Sequence, residues 1–67
     1  MIDVTVNGKP HRFEQPPELS ALLIRLELGG KKIAVERNGE IVPRSAHAHT
    51  RIAHGDQLEI VVAVGGG

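Results

Sequence analysis

The sequence predicts an α+β fold, a mixed sheet of four to five strands packed on one helix. Three observations predict it. Short stretches of alternating apolar and polar residues recur near the start, middle and end of the chain, the period-two pattern of half-buried strands. A single stripe of leucines, Leu19, Leu22, Leu23 and Leu26, has the i, i+3, i+4, i+7 spacing of one helical face. Two Asn-Gly pairs, Asn7-Gly8 and Asn38-Gly39, separate strand-like segments, and both residue types tolerate the positive φ of a tight hairpin turn.

The elements can be justified in order. In "MIDVTV", Ile2, Val4 and Val6 point one way while Asp3 and Thr5 point the other. "KPHRFE" is the return strand; Pro10 lacks an N–H and so belongs on a sheet edge or at the strand's first residue. "QPPELSALLIRLEL" carries a helix of about ten residues, near the average length. Pro17 suits its first turn, Glu18 complements the helix dipole, and Gly29-Gly30 supplies the stop. Ile33 and Val35 share a strand face before Asn38-Gly39, and "EIV" is a short strand cut off by Pro43. "SAHAHTRIAHGD" has no clear period and ends in a Gly55-Asp56 turn. In the last strand, "QLEIVV", Leu58, Ile60 and Val62 form one face, and Glu59, Val61 and Ala63 the other. The order is β-β-α-β-β-β. The leucine stripe is expected to cover Ile2, Val4, Val6, Ile33, Val35, Leu58 and Ile60; that the first and last strands pair in parallel at the centre is an expectation resting partly on fold-level analogy.

Composition narrows the function classes. The 67 residues suffice for one domain, expected to span residues 1–67 with 64–67 as a flexible glycine tail. There is no cysteine, which excludes a disulfide scaffold and any thiol nucleophile of the chain's own. Eight Lys and Arg balance eight Asp and Glu, and Phe13 is the only aromatic residue of the Phe, Tyr and Trp class. No nucleic-acid partner is therefore expected: both the basic excess and the stacking platform are missing. No apolar run approaches membrane-spanning length, and "MIDVTVNGK" lacks the basic-then-apolar pattern of a secretion signal. The expected address is the cytoplasm.

Candidate chemistry is sparse. The side-chain hydroxyls are Thr5, Ser20, Ser45 and Thr50, and none stands in a nucleophile elbow. His47, His49 and His54 could in principle form a metal site, but no carboxylate or Cys completes a familiar ligand spacing. The simpler reading makes them solvated loop residues, with no metal and no bound cofactor. Lys31, Lys32 and Arg44 read as solvated surface. The remaining feature is the terminal "VGGG". After Val64 the glycines Gly65 and Gly66 could thread a channel that rejects side chains, and the chemical handle is the carboxylate of Gly67. ATP-dependent activation would turn it into an acyl-adenylate open to a sulfur or amine nucleophile. Terminal residues are more often merely frayed. Val61 and Ala63, on the outward strand face beside Ala34 and leading into Val64, suggest a partner-docking surface, although scattered surface apolars are ordinary.

"VNGK", "AVERNGEIVPR", "HGDQLEIV" and the terminal "VGGG" together resemble the ThiS family, the ubiquitin-like sulfur carrier proteins of thiamine biosynthesis. The resemblance spans essentially the whole chain and implies the β-grasp fold. Family members often carry Trp shortly after the Val-Pro-Arg element, where His47 stands here, and an acidic residue before Gly-Asp, where His54 stands here. The resemblance implies a carrier rather than an enzyme. A ThiF-type adenylating enzyme would consume ATP to adenylate Gly67, and a cysteine desulfurase relay would supply sulfur to form a thiocarboxylate. A ThiG-type thiazole synthase would then take the sulfur into the thiazole ring. The alternatives are a carrier for another pathway, such as a molybdopterin synthase small subunit, a conjugating modifier, or a β-grasp binding module with an inert tail.

Overall fold

The computed structural model describes residues 1–62. Their elements are β1 (Ile2–Val6), β2 (Lys9–Phe13), α1 (Leu19–Arg25), β3 (Ile33–Arg37), β4 (Glu40–Val42), a 3₁₀ helix (Arg44–His49) and β5 (Gln57–Val62). The strands form one five-stranded sheet in the order β2-β1-β5-β3-β4. β1 and β5 run parallel at the centre, and the other neighbours are antiparallel. This is the expected mixed sheet, and Pro10 lies on the edge strand β2, where a missing N–H is tolerated.

Both hairpins turn on Asn-Gly. Asn7 and Gly8 have φ of 50° and 82°, and Asn38 and Gly39 have 52° and 87°, so each turn has the positive φ at both central residues that type I′ requires. That turn twist matches the right-handed twist of the strands it joins.

The helix is shorter than expected, seven residues from Leu19 to Arg25. Pro17 and Glu18 lie outside it because they are used elsewhere. Leu19 N–H donates to Thr50 O at 2.8 Å and Ile52 N–H donates to Pro17 O at 2.9 Å, binding the helix entry to the segment before β5. At the other end the stop comes before Gly29-Gly30. Leu28 N–H reaches Leu23 O at 2.8 Å and Glu27 N–H reaches Ile24 O at 2.9 Å, the bond pair of a Schellman cap. The cap's left-handed residue is Glu27, with φ of 60°, where glycine is the usual occupant. Leu28 then packs back against the core.

Leu19, Leu22 and Leu23 bury against Ile2, Val4, Val6, Val35, Leu58 and Ile60, with Leu26 and Ile33 half-buried at the margin. Val62, expected on the core face, is 37% exposed at the end of β5, where its partner Ile33 is itself only half-buried. The core also takes in Phe13 and the fully buried Ile52. Ile52 joins the core from the segment after the 3₁₀ helix.

Asp56 braces the entry to β5. Its carboxylate accepts from Ala53 N–H at 2.8 Å, Arg37 Nε at 2.8 Å and Asn38 Nδ2 at 3.0 Å. Burial alone would raise this carboxyl, but those three donors outweigh it and hold it below the ordinary carboxylate range. The folded-state value being the lower one, its contribution is fully present above the unfolded value of about 3.9 and is lost as pH falls through the folded value.

Two outcomes follow. Urea unfolding against pH should show stability falling below about pH 4, and Asp56→Asn should flatten that acid limb while costing ~1–3 kcal/mol at pH 7. Glu27→Gly should relieve left-handed strain and stabilise the chain by up to ~1 kcal/mol, read as a rise in Tm of a few degrees, about 4–8 °C per kcal/mol for a domain of this size.

Candidate functional site

β5 is the central strand, with β1 beside its first residues and β3 along its whole length, so the chain leaves the sheet from an end held by β3. Its last described pairings are Val61 opposite Ala34 and Val62 opposite Ile33. Ala34 and Val61 therefore do share the solvent face of the sheet, as their alternation predicts, and Val61 is 65% exposed. Ala63, Val64, Gly65, Gly66 and Gly67 lie outside the described residues.

The same face carries residues that sequence reasoning missed. Glu36 is paired with both Glu59 and Ile41, and Ile41 is 65% exposed. The signal was present: in "EIV" a half-buried Val42 facing the core places Ile41 outward by simple alternation. The face is thus apolar at Ala34, Val61 and Ile41, with two opposed carboxylates between them. Like charges directly opposite across a sheet are unfavourable, and no cation forms an ion pair with either glutamate among the described residues.

The histidines part company. His47 is not a solvated loop residue, as the simpler sequence reading held. It lies buried in the 3₁₀ helix, where Nε2–H donates to Val42 O at 3.2 Å. A three-residue period in a six-residue element gives too little pattern to read from sequence. His54 is exposed, and its Nδ1 accepts from Asp3 N–H at 3.0 Å. Among the described residues no group of three His, Cys, Asp or Glu could hold a metal, and no helix is long and apolar enough to cross a membrane.

With this geometry in place, comparison with known sequences is decisive. The sequence model described as the ThiS family matches residues 4–67, from β1 through the glycine run. The chain belongs to the ThiS family. The crystal structure of a thiamine biosynthesis protein (ThiS) from Geobacter metallireducens superposes with a TM-score of 0.83 at 33% identity, covering 98% of this chain and 100% of that one. A thiazole synthase of Paramagnetospirillum magneticum is 44% identical over 64 residues. This chain covers only 20% of that protein's length, and likewise 20% of a thiazole synthase of Magnetococcus marinus. The uncharacterized protein ycf40 of Porphyra purpurea is 35% identical over 66 residues and 93% covered. The ThiS-like structure confirms the ubiquitin-like β-grasp expectation.

In this ThiS-family chain the solvent face of the sheet should tolerate polar replacement. Val61→Thr and Ile41→Thr keep the β-branched shape and should each change stability by ~0.5 kcal/mol or less, as measured by chemical denaturation.

Proposed function

We propose that this chain is a sulfur carrier of thiamine biosynthesis, acted upon by enzymes rather than being one, with the carboxylate of Gly67 as the carrying group. The observation that carries the reading is the ThiS-family match, which runs unbroken from β1 through Gly65, Gly66 and Gly67. The fold supports it: the glycines follow in sequence on the central strand of the sheet, and glycines alone can enter a channel too narrow for a Cβ.

The chemistry balances as follows. A carboxylate oxygen of Gly67 attacks the α-phosphorus of ATP on a ThiF-type enzyme, expelling pyrophosphate. The resulting mixed anhydride presents AMP as the leaving group. A sulfur nucleophile supplied through a cysteine desulfurase attacks the carbonyl carbon and AMP departs. Where the donor is a persulfide, two electrons from a thiol reductant cleave the remaining S–S bond and leave the thiocarboxylate. The chain needs no cofactor and no cysteine for this, because the sulfur is held by the terminal acyl carbon.

Thiazole synthase is the recipient that the comparisons favour. Two proteins of that name contain a segment 44% and 38% identical to this chain within a much longer polypeptide. Covalent joining keeps two parts of one reaction at high effective concentration, so a ThiG-type partner is the natural acceptor. Ala34, Val61, Ala63 and Val64 would guide the hand-over at the root of the tail.

The reading requires a free carboxyl at Gly67, which the intact mass reports directly. Incubation with ATP, a ThiF-type enzyme and a sulfur donor should then produce the mass gain of one oxygen replaced by sulfur at Gly67. A terminus that never gains sulfur contradicts the proposal. Deletion of Gly66 and Gly67 should abolish the gain with the melting temperature unchanged, and Gly66→Ala should slow adenylation by about tenfold or more, roughly 1.4 kcal/mol.

A further inference from the structure

On the helix side of the sheet, between the end of α1 and the 3₁₀ helix, lies a groove of about 320 Å³. Leu23, Ile24, Leu28 and Ile33 form its apolar floor. Ile24 is 68% exposed, which is unusual for an isoleucine continuous with other apolar surface rather than isolated. Gly29 and Gly30 form one wall and keep it low. A Cβ at Gly29 would stand 3.2 Å from Ile24 Cγ1, and Gly30 sits at φ of 82°.

The groove's charge is one-sided. Lys31 and Arg44 line it, and no carboxylate does. Neither cation belongs to the ion pairs found among the described residues, Arg12–Asp3 and Arg37–Asp56. Its position is equally specific. Ile33 lines the groove and is also the strand partner of Val62, so the groove begins where the chain passes out of the described sheet. The opposite face at that point carries Val61, Glu59 and Glu36.

We propose that this groove is a second docking site for the protein that encloses the residues beyond Val62, and that it receives from that protein an apolar side chain flanked by a carboxylate. This rests on the carrier reading insofar as a partner grips the tail. The apolar floor desolvates the side chain, and Lys31 and Arg44 pair with the carboxylate at the rim. A partner holding the tail would then meet cations on one side of β5 and carboxylates on the other. Charge complementarity of that kind selects one rotational setting about the strand and suppresses the reverse, which a featureless glycine tail cannot do.

The test measures affinity of the intact chain for its ThiF-type and ThiG-type partners. The paired substitutions Lys31→Glu and Arg44→Glu reverse the rim, and Ala48→Trp fills the groove from an exposed lining position. Each should weaken binding to at least one partner by about tenfold or more with the melting temperature unchanged. Added salt should weaken binding of the parent, and should weaken it less or strengthen it in the charge-reversed variant. Affinities within about twofold of the parent for both partners overturn the proposal, and so does a parent chain that binds neither. Sulfur loading at saturating partner concentration is read separately. If loading proceeds in the parent while affinity ignores the groove, the carrier reading stands and the groove proposal falls. If the variants lose affinity but no form ever gains sulfur, the groove proposal stands and the carrier chemistry falls.

Discussion

Ile60 lies on the central strand at a level where β1 has already turned away, and the side chain of Asn7 takes the place of the missing strand. Asn7 Nδ2 donates to Ile60 O at 3.0 Å, and Ile60 N–H donates to Asn7 Oδ1 at 2.8 Å. The amide reproduces the donor and acceptor of a peptide, so the ladder continues past the end of its own backbone. Asn38 does the same at the start of β5. Its Oδ1 accepts from Gln57 N–H at 2.9 Å, its backbone N–H donates to Gln57 O at 2.8 Å, and its Nδ2 reaches Asp56. The two hairpin turns that flank the central strand therefore also clamp it, one from each side. Parallel pairing between β1 and β5 spans only Thr5–Gln57 and Val6–Leu58, which makes the clamps a large part of what holds β5.

The outward face of the sheet depends on that arrangement because Val61 and Glu59 lie on β5 and Ala34 and Glu36 on its neighbour β3. Val61 and Ala34 face outward only while the β3–β5 register holds, since a one-residue slip would reverse every side chain. Asp56, through Arg37 and Asn38, fixes the point at which the register begins. The opposed Glu36 and Glu59 weaken the sheet at the same level where the core and the clamps strengthen it. Stability drawn from elsewhere supports a face whose opposed carboxylates have no ion-pair partner among the described residues.

Much of this was legible in the sequence. The alternation of Ile2, Val4 and Val6, the leucine stripe and the two Asn-Gly turns led to the sheet and the helix, while the central parallel pair came in part from fold-level analogy. The outward placement of Ala34 and Val61 followed from alternation alone. What could not be read were interactions between segments remote in the chain. Pro17 and Glu18 look like a helix start, and they lie outside it because residues 50–52 bond to the same stretch. Glu27 looks like an ordinary helical residue, yet it occupies the left-handed cap position one would assign to glycine. His47 and Ile52 sit in a stretch without a strong period, so their burial is fixed by tertiary packing rather than local pattern. The asparagines were recognised as turn formers. That their side chains reach across to Gln57 and Ile60 is a property of the assembled sheet.

The claim that binds these observations is that turn side chains hold the tail-bearing strand in place. Amide hydrogen exchange at Ile60, compared between the parent chain and Asn7→Gly, tests it most directly. Glycine keeps the turn's positive φ and removes only the amide clamp. The account predicts that Ile60 N–H exchanges markedly faster in the variant, by about tenfold or more for a lost bond of ~1–2 kcal/mol, while Val4 in β1 shifts less. Equal protection of Ile60 in the two proteins would contradict it.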